Sequence, residues 1–464
     1  MPFAEILVKE KMIHAPNCKF SSMKLEEGRI FMMGQSEADA ALSEVVTGFG
    51  RLVGDDIHSL RVSSPLLRAL REAGTSHIYA DTADFHELGG LLSAGDGKLL
   101  AEIDGNTANQ PLVRKVISAY LEEANLKGWA TALQRHREEL TEAEMLPLIY
   151  AIVCGRVGND FLRVFSSGRL WEVSLQLHMR LCADPDAAKQ VGRCLRSMVR
   201  SAFVKVPFTP HHPHCFLVAR DLEREGIPVN FTSTFSARQA VAAALLSNVT
   251  TTNIFMGRLN QGLQAELLGE HVNLQAQRAI EELRQQNTAK TLLIVASMRD
   301  WQTFIRTAGC DVYTAPVGVI RDFLKQTEIP PEEIHSNLFT SYEDRLGISP
   351  IVLGKLSAPA IAKLYEIEPE FIEFLTEYRQ TVEYRNLEDG DGLFQRFEEA
   401  GFGDLFYFPS GAEWDEIRRD KIPNLDAPIT RRLSLDTLYS LLADADFEKH
   451  QDDMDGEIKE RLEA

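Results

Sequence analysis

Residues 203–216 read FVKVPFTPHHPHCF and hold two candidate chemistries. The first belongs to Lys205, set in a short apolar run. Burial in such a run disfavours the ammonium form and lowers the lysine pKa. The neutral amine is the nucleophile that forms Schiff bases with carbonyl substrates. A buried salt bridge with Asp81 is the plain structural alternative. The second chemistry belongs to His211, His212, His214 and Cys215, residue types that ligate metals. Adjacent histidines point apart, Pro210 and Pro213 stiffen the loop, and no matching His or Cys cluster occurs elsewhere. Zinc asks for three or four converging ligands. The expectation is therefore no metal, and a loop that crosses the mouth of the site, where its histidines could touch an anionic substrate.

The elements that must position Lys205 show as a rhythm. From about residue 76, short apolar runs alternate with amphipathic helical stretches. The runs are SHIYAD, LLAEIDG, LWEVSLQLHM, AFVKVPF, PVNFTST, TTNIFMG, TLLIVAS and CDVYTAP. Strand alternating with helix implies parallel strands joined by crossovers. Eight runs over about 250 residues match a (β/α)8 TIM barrel. A doubly wound open sheet would want a Gly-rich loop after its first strand, and TADFHELGG after Asp81 is no such loop. Polar residues collect near the run ends: Asp81, Asn109, Gln176, Lys205, Asn230 with Thr232, Asn253, and Ser297 with Arg299. In a barrel, those ends form the active-site face.

The rest of the chain bounds this reading. It has 464 residues, 44% hydrophobic and 25% charged, the balance of a soluble globular protein. Its formal net charge of -19 argues against nucleic acid or an anionic membrane as partner, but not against a small anionic substrate in a basic pocket. The six scattered cysteines, with no CxxC pair, and a charged N-terminus unlike a signal peptide lead to the expectation of a cytoplasmic protein. No run of about 18 apolar residues leads to the expectation of no membrane-spanning helix. Residues 1–75 read as an N-terminal extension, with a strand and turn in KLEEGRIFMMG and a helix in SEADAALSEVVTGFGRLV. Residues 76–340 read as the barrel. Residues 341–464 read as a mainly helical C-terminal extension, with DGDG at 389–392 as a turn and the charged tail as a helix with a solvated end.

In order along the chain stand YADTAD (79–84), GNTANQPLV (105–113), VSLQL (173–177), VKVP (204–207), GIPVNFTSTFSARQAVAAA (226–244), NIFMGR (253–258) and ASMR (296–299). This series resembles the transaldolase family of class I, Schiff-base-forming enzymes, over about residues 76–330. The resemblance implies that Lys205 forms the Schiff base and that Asp81 is the acid/base. It implies that Asn109 and Asn230 bind a dihydroxyacetone portion and that Thr232 positions a water. Arg258 and Arg299, with Ser297 nearby, would bind the sugar phosphate, and Asn253 and Phe255 would line the site. Gln176 holds the place of a glutamate in ordinary transaldolases and cannot serve as a base. Glu172, two pleats lower, is a poor substitute. A glutamine there resembles the fructose 6-phosphate aldolase subgroup, whereas Phe255 resembles the transferases. The resemblance thus implies transfer of a dihydroxyacetone unit between sugar phosphates in the pentose phosphate pathway, with no cofactor and with helices after the last strand covering the barrel mouth; the sequence does not give the oligomeric state, for which a dimer is a guess. Two alternatives stand: an aldolase releasing free dihydroxyacetone, and a catalytically faded barrel kept as a binding or regulatory protein.

Overall fold

A computed structural model describes residues 61–89, 99–123, 126–136, 141–165 and 171–463. The strand and helix expected within residues 20–60 lie outside the described residues. Eight parallel strands close into a barrel: β1 (His77–Asp81), β2 (Ile103–Thr107), β3 (Glu172–Gln176), β4 (Ala202–Pro207), β5 (Val229–Thr234), β6 (Thr251–Phe255), β7 (Leu292–Ala296) and β8 (Val312–Ala315). Each strand pairs with the next in chain order, and β8 pairs back onto β1. All eight expected runs are strands. Their apolar continuity follows from burial on both faces, inside against barrel side chains and outside against helices.

The helices behind the strands seal the outer layer. Ser236 caps the helix Ala237–Ala242, its hydroxyl accepting from the Gln239 amide, and Asp184 caps Pro185–Met198. The crossover from β2 to β3 carries three helices, Gln110–Glu123, Leu126–His136 and Glu142–Phe165. The last contains a segment, Glu144–Arg163, long and apolar enough to cross a membrane, which corrects the expectation that no such segment exists. It is 83% buried inside the fold, where Gly155 and Gly158 let Met198 and Val199 pack close.

The described part of the N-terminal extension is tied to the barrel. Leu66, Leu67 and Leu70 of the helix Pro65–Glu72 are buried in the same core cluster as β1. The C-terminal region is helical. DGDG opens the helix Gly390–Glu399, with Asp389 as its cap, rather than forming a free turn. This region is anchored to the outside of the barrel: Arg220 donates to the Tyr384 and Leu387 carbonyls, and Tyr384 donates to Leu246 O. The chain then enters a 29-residue helix, Leu435–Glu463. Its contacts run from the β5 loop to the helix after β2, so it lies across the barrel mouth. The charged tail is therefore not a solvated end.

One close approach fixes the β2–β3 seam. Gly105 is in register with Glu172, and a Cβ on Gly105 would overlap the Glu172 carbonyl oxygen. Gly105→Ala is expected to destabilise the protein by about 3 kcal/mol. Chemical denaturation checks this; an unchanged midpoint would contradict the packing.

Candidate active site

Gln176, Lys205 and Asn230 occupy one register row across β3, β4 and β5. Lys205 is 2% exposed. Its Nζ donates to the Ala108 carbonyl at 3.2 Å. Burial pushes the amine down to about 8, and the charge of Asp81 opposes the fall. No carboxylate lies within ion-pair distance of Lys205 among the described residues, so the salt-bridge alternative gives way to an amine held by a carbonyl, with Asp81 acting at longer range.

Asp81 ends β1. Its Oδ1 accepts from the Thr107 hydroxyl at 2.8 Å, and that hydroxyl meets Thr314 of β8 at 2.6 Å. Burial pushes the Asp81 carboxyl up, while Lys205, Thr107 and Arg299 pull it back. A carboxyl raised in this way is better able to take and return a proton than an ordinary one. Thr107 was not among the expected site residues. Its signal was its place at the end of a strand, beside Asp81 in register.

A second chain of contacts crosses the barrel interior. Asn230 donates to Ser174 Oγ at 3.2 Å. Asn253 Nδ2 reaches Asn230 Oδ1 at 3.3 Å and Thr232 Oγ1 at 3.1 Å. Gln176 Nε2 has only Met179 Sδ, at 3.9 Å. Gln176 Oε1 and Asn253 Oδ1 are buried without hydrogen-bond partners among the described residues. Such atoms are expensive to leave unpaired, so they mark where a polar ligand or water belongs. Asn109 stands apart from this chain: its side-chain oxygen accepts from the Leu112 amide at the start of the helix Gln110–Glu123. Glu172 lies low in the barrel, bonded to Tyr79.

The two arginines enter from β6 and β7. Arg258 is on the short helix Met256–Gly262, which begins directly after Phe255. Arg299 follows β7 by three residues and is exposed. Ser297 has a left-handed φ of 64°. Its carbonyl oxygen lies where a Cβ on Gly257 would sit, and Arg299 Cγ is also close to that point. Gly257 therefore lets the two arginine-bearing segments touch. Partial burial of its side chain lowers the Arg299 pKa, Arg258 lowers it further, and Asp81 raises it. Arg258 is already paired: its Nη2 lies 2.6 Å from Asp446 Oδ2 on the Leu435–Glu463 helix.

That helix supplies residues that sequence reasoning missed. Asp455 meets the buried His178 Nε2 at 2.9 Å. The Arg180 amide donates to His178 Nδ1, so Nε2 carries the proton. Asp444 is fully buried, and neither of its oxygens has a hydrogen-bond partner among the described residues. Burial, with Glu448 nearby, pushes its carboxyl well above the usual range. The histidine loop lies alongside, with His211 Nδ1 4.0 Å from Asp444. Burial and neighbouring histidines push His211 down to about 4 and His212 down to about 3, so both rings are neutral. His214 Nε2 binds the Cys182 carbonyl at 2.6 Å. Among the described residues no group of three or more His, Cys, Asp or Glu side chains converges to hold a metal.

Comparison with known proteins agrees with this architecture. Residues 78–350 match the family described as Transaldolase/Fructose-6-phosphate aldolase. A probable transaldolase of Dictyostelium discoideum is 27% identical over 258 residues, covering 53% of this chain and 74% of that protein. A probable transaldolase of Nitrosopumilus maritimus is 33% identical over 156 residues, covering 33% of this chain and 64% of that protein. A transaldolase of Chlamydia muridarum is 24% identical over 280 residues, covering 56% of this chain and 80% of that protein. The chain belongs to the transaldolase/fructose-6-phosphate aldolase family. The helix across the mouth lies beyond the family-matched span.

Asp444 generates a prediction. A carboxyl raised in the native state contributes fully below its ordinary value of 3.8, and that contribution declines as pH climbs toward the raised native value. Asp444→Asn is therefore expected to gain stability over the wild type as pH rises from about 5 to about 8. Thermal melts across that range check the sign; a variant that loses ground as pH rises would contradict it.

Proposed function

We propose that the protein is a transaldolase that moves a dihydroxyacetone unit from a ketose phosphate to an aldose phosphate through a Schiff base on Lys205, the chemistry of the pentose phosphate pathway. The observation that carries this reading is a buried, desolvated lysine in the same polar barrel end as a carboxyl whose own pKa is raised. The amine adds to the ketose carbonyl, and loss of water gives the iminium. Asp81, as carboxylate, takes the proton from the hydroxyl beside the bond that breaks. The aldose phosphate leaves, and the bonding electrons flow into the iminium to give an enamine. An acceptor aldehyde takes up the enamine carbon, and Asp81 returns the proton to the new alkoxide. Water then hydrolyses the iminium and frees the amine. Thr232 accepts from Asn253, which leaves its own hydroxyl hydrogen free to hold that water. Asn230 and the Nδ2 of Asn109 are donors for the dihydroxyacetone hydroxyls, and Arg258 and Arg299 for the phosphate.

Gln176 favours a second reading, an aldolase that releases free dihydroxyacetone. Its amide cannot act as the base that a glutamate would supply. Release of dihydroxyacetone from fructose 6-phosphate without an acceptor would separate it from the transferase.

Borohydride trapping tests both. Incubation with fructose 6-phosphate or sedoheptulose 7-phosphate, reduction, and peptide mapping should place an adduct on Lys205, absent in Lys205→Ala. No adduct from either sugar in folded protein would sink the Schiff-base mechanism. The initial trapping rate should climb with pH toward a plateau, with an apparent pKa of about 8, because only the neutral amine attacks. A rate flat across that range would mean that another group limits the step.

A further inference from the structure

We infer that Asp446 is an internal anion that holds Arg258 until the phosphate of a substrate takes it over, so that this carboxylate sets how tightly the site binds phosphorylated sugars. The inference rests on the phosphate role proposed for Arg258.

Three observations carry it. First, the pair is built for exchange. Among the described residues, Arg258 contacts Asp446 through Nη2 alone, and its Nη1 is buried without a partner. Where this protein uses an arginine to clamp the same helix, the contact is two-pronged: Arg238 engages Asp436 through both Nε and Nη2. A guanidinium fork matches two acceptors of one anion, so Arg258 is half used. Phe255 and Phe447 flank it, each ring centroid 5.7 Å away, and hold the fork in place while its partner changes.

Second, Asp446 has a cation to fall back on. Lys421 Nζ lies 2.7 Å from its Oδ1. When Arg258 turns to a phosphate, Asp446 keeps a paired charge. Third, Arg299 has no ion-pair or hydrogen-bond partner among the described residues, yet its guanidinium feels the charge of Arg258. Two like charges that interact, one unpaired and one half paired, make a receptor for a dianion between them.

Isothermal titration with inorganic phosphate tests the exchange on the full chain. Asp446→Asn should bind phosphate about tenfold more tightly than wild type, since a competing charge is gone. In an Arg258→Gln background the same change should bring little gain, because the carboxylate then has no arginine to release. Lys421 is largely exposed, so Lys421→Gln leaves the fold intact and serves if either buried substitution fails to fold. It should weaken phosphate binding severalfold by tightening Asp446 on Arg258. An Asp446→Asn gain that persists undiminished without Arg258 would overturn the inference, as would unchanged affinity in both single variants or no phosphate binding in any protein. These results are separable from Lys205 trapping: failed trapping with the expected phosphate pattern would remove the proposed reaction and leave the exchange standing.

Discussion

A lysine side chain held at 2% exposure inside a parallel barrel loses the hydration of its charged form, and the protein offers it only a carbonyl in return. Everything at the top of the barrel can be read as what it takes to keep that amine dry and partly neutral. The strand row of Gln176, Lys205 and Asn230 gives it a rigid wall. Asp81 stays beyond ion-pair distance, so it biases the amine without capturing it. The long helix crosses the mouth, and burial beneath it strengthens electrostatic interactions.

That helix is held by charge as well as by apolar burial. Asp436 is gripped by Arg238 and the Ser236 hydroxyl, Asp446 by Arg258, Asp455 by His178, and Glu457 by Arg114. Apolar contact adds Phe447 against Phe255 and Tyr439 stacked on Phe235. Removing one partner of a fully buried pair leaves a charge uncompensated and costs about 3–5 kcal/mol. The clamp is thus strong only as a set of matched partners, drawn from loops that follow several different strands.

The barrel was legible because parallel strands buried on both faces leave unbroken apolar runs, and all eight could be counted. Lys205, Asp81, Asn230, Thr232 and Asn253 were legible for a related reason: polar residues inside or at the end of such runs are costly and stand out. Asn109 was harder, since an asparagine before a helix also serves as its cap, and here its oxygen does. The tail misled because a buried helix normally shows an apolar stripe. This one buries Asp436, Asp444, Asp446 and Asp455 among apolar residues such as Leu438, Leu441, Phe447 and Ile458, and the arginine or histidine that meets Asp436, Asp446 or Asp455 lies 180 or more residues away in sequence. No local pattern announces a carboxylate whose counter-ion belongs to a distant loop. The pairing of Arg258 with Asp446 was invisible for the same reason.

The distance along the chain between barrel and clamp has a consequence for biosynthesis. Leu435 follows Ala315, the last residue of the barrel sheet, by 120 positions. On the ribosome the eight strands can therefore emerge and close well before residues 435–463 exist. Through that interval this end of the barrel stands without the helix, and Asp436 has yet to reach Arg238. A nascent chain can thus possess the whole barrel while the helix that crosses its mouth has yet to be made, so the closed form of this end of the molecule is among the last features to appear.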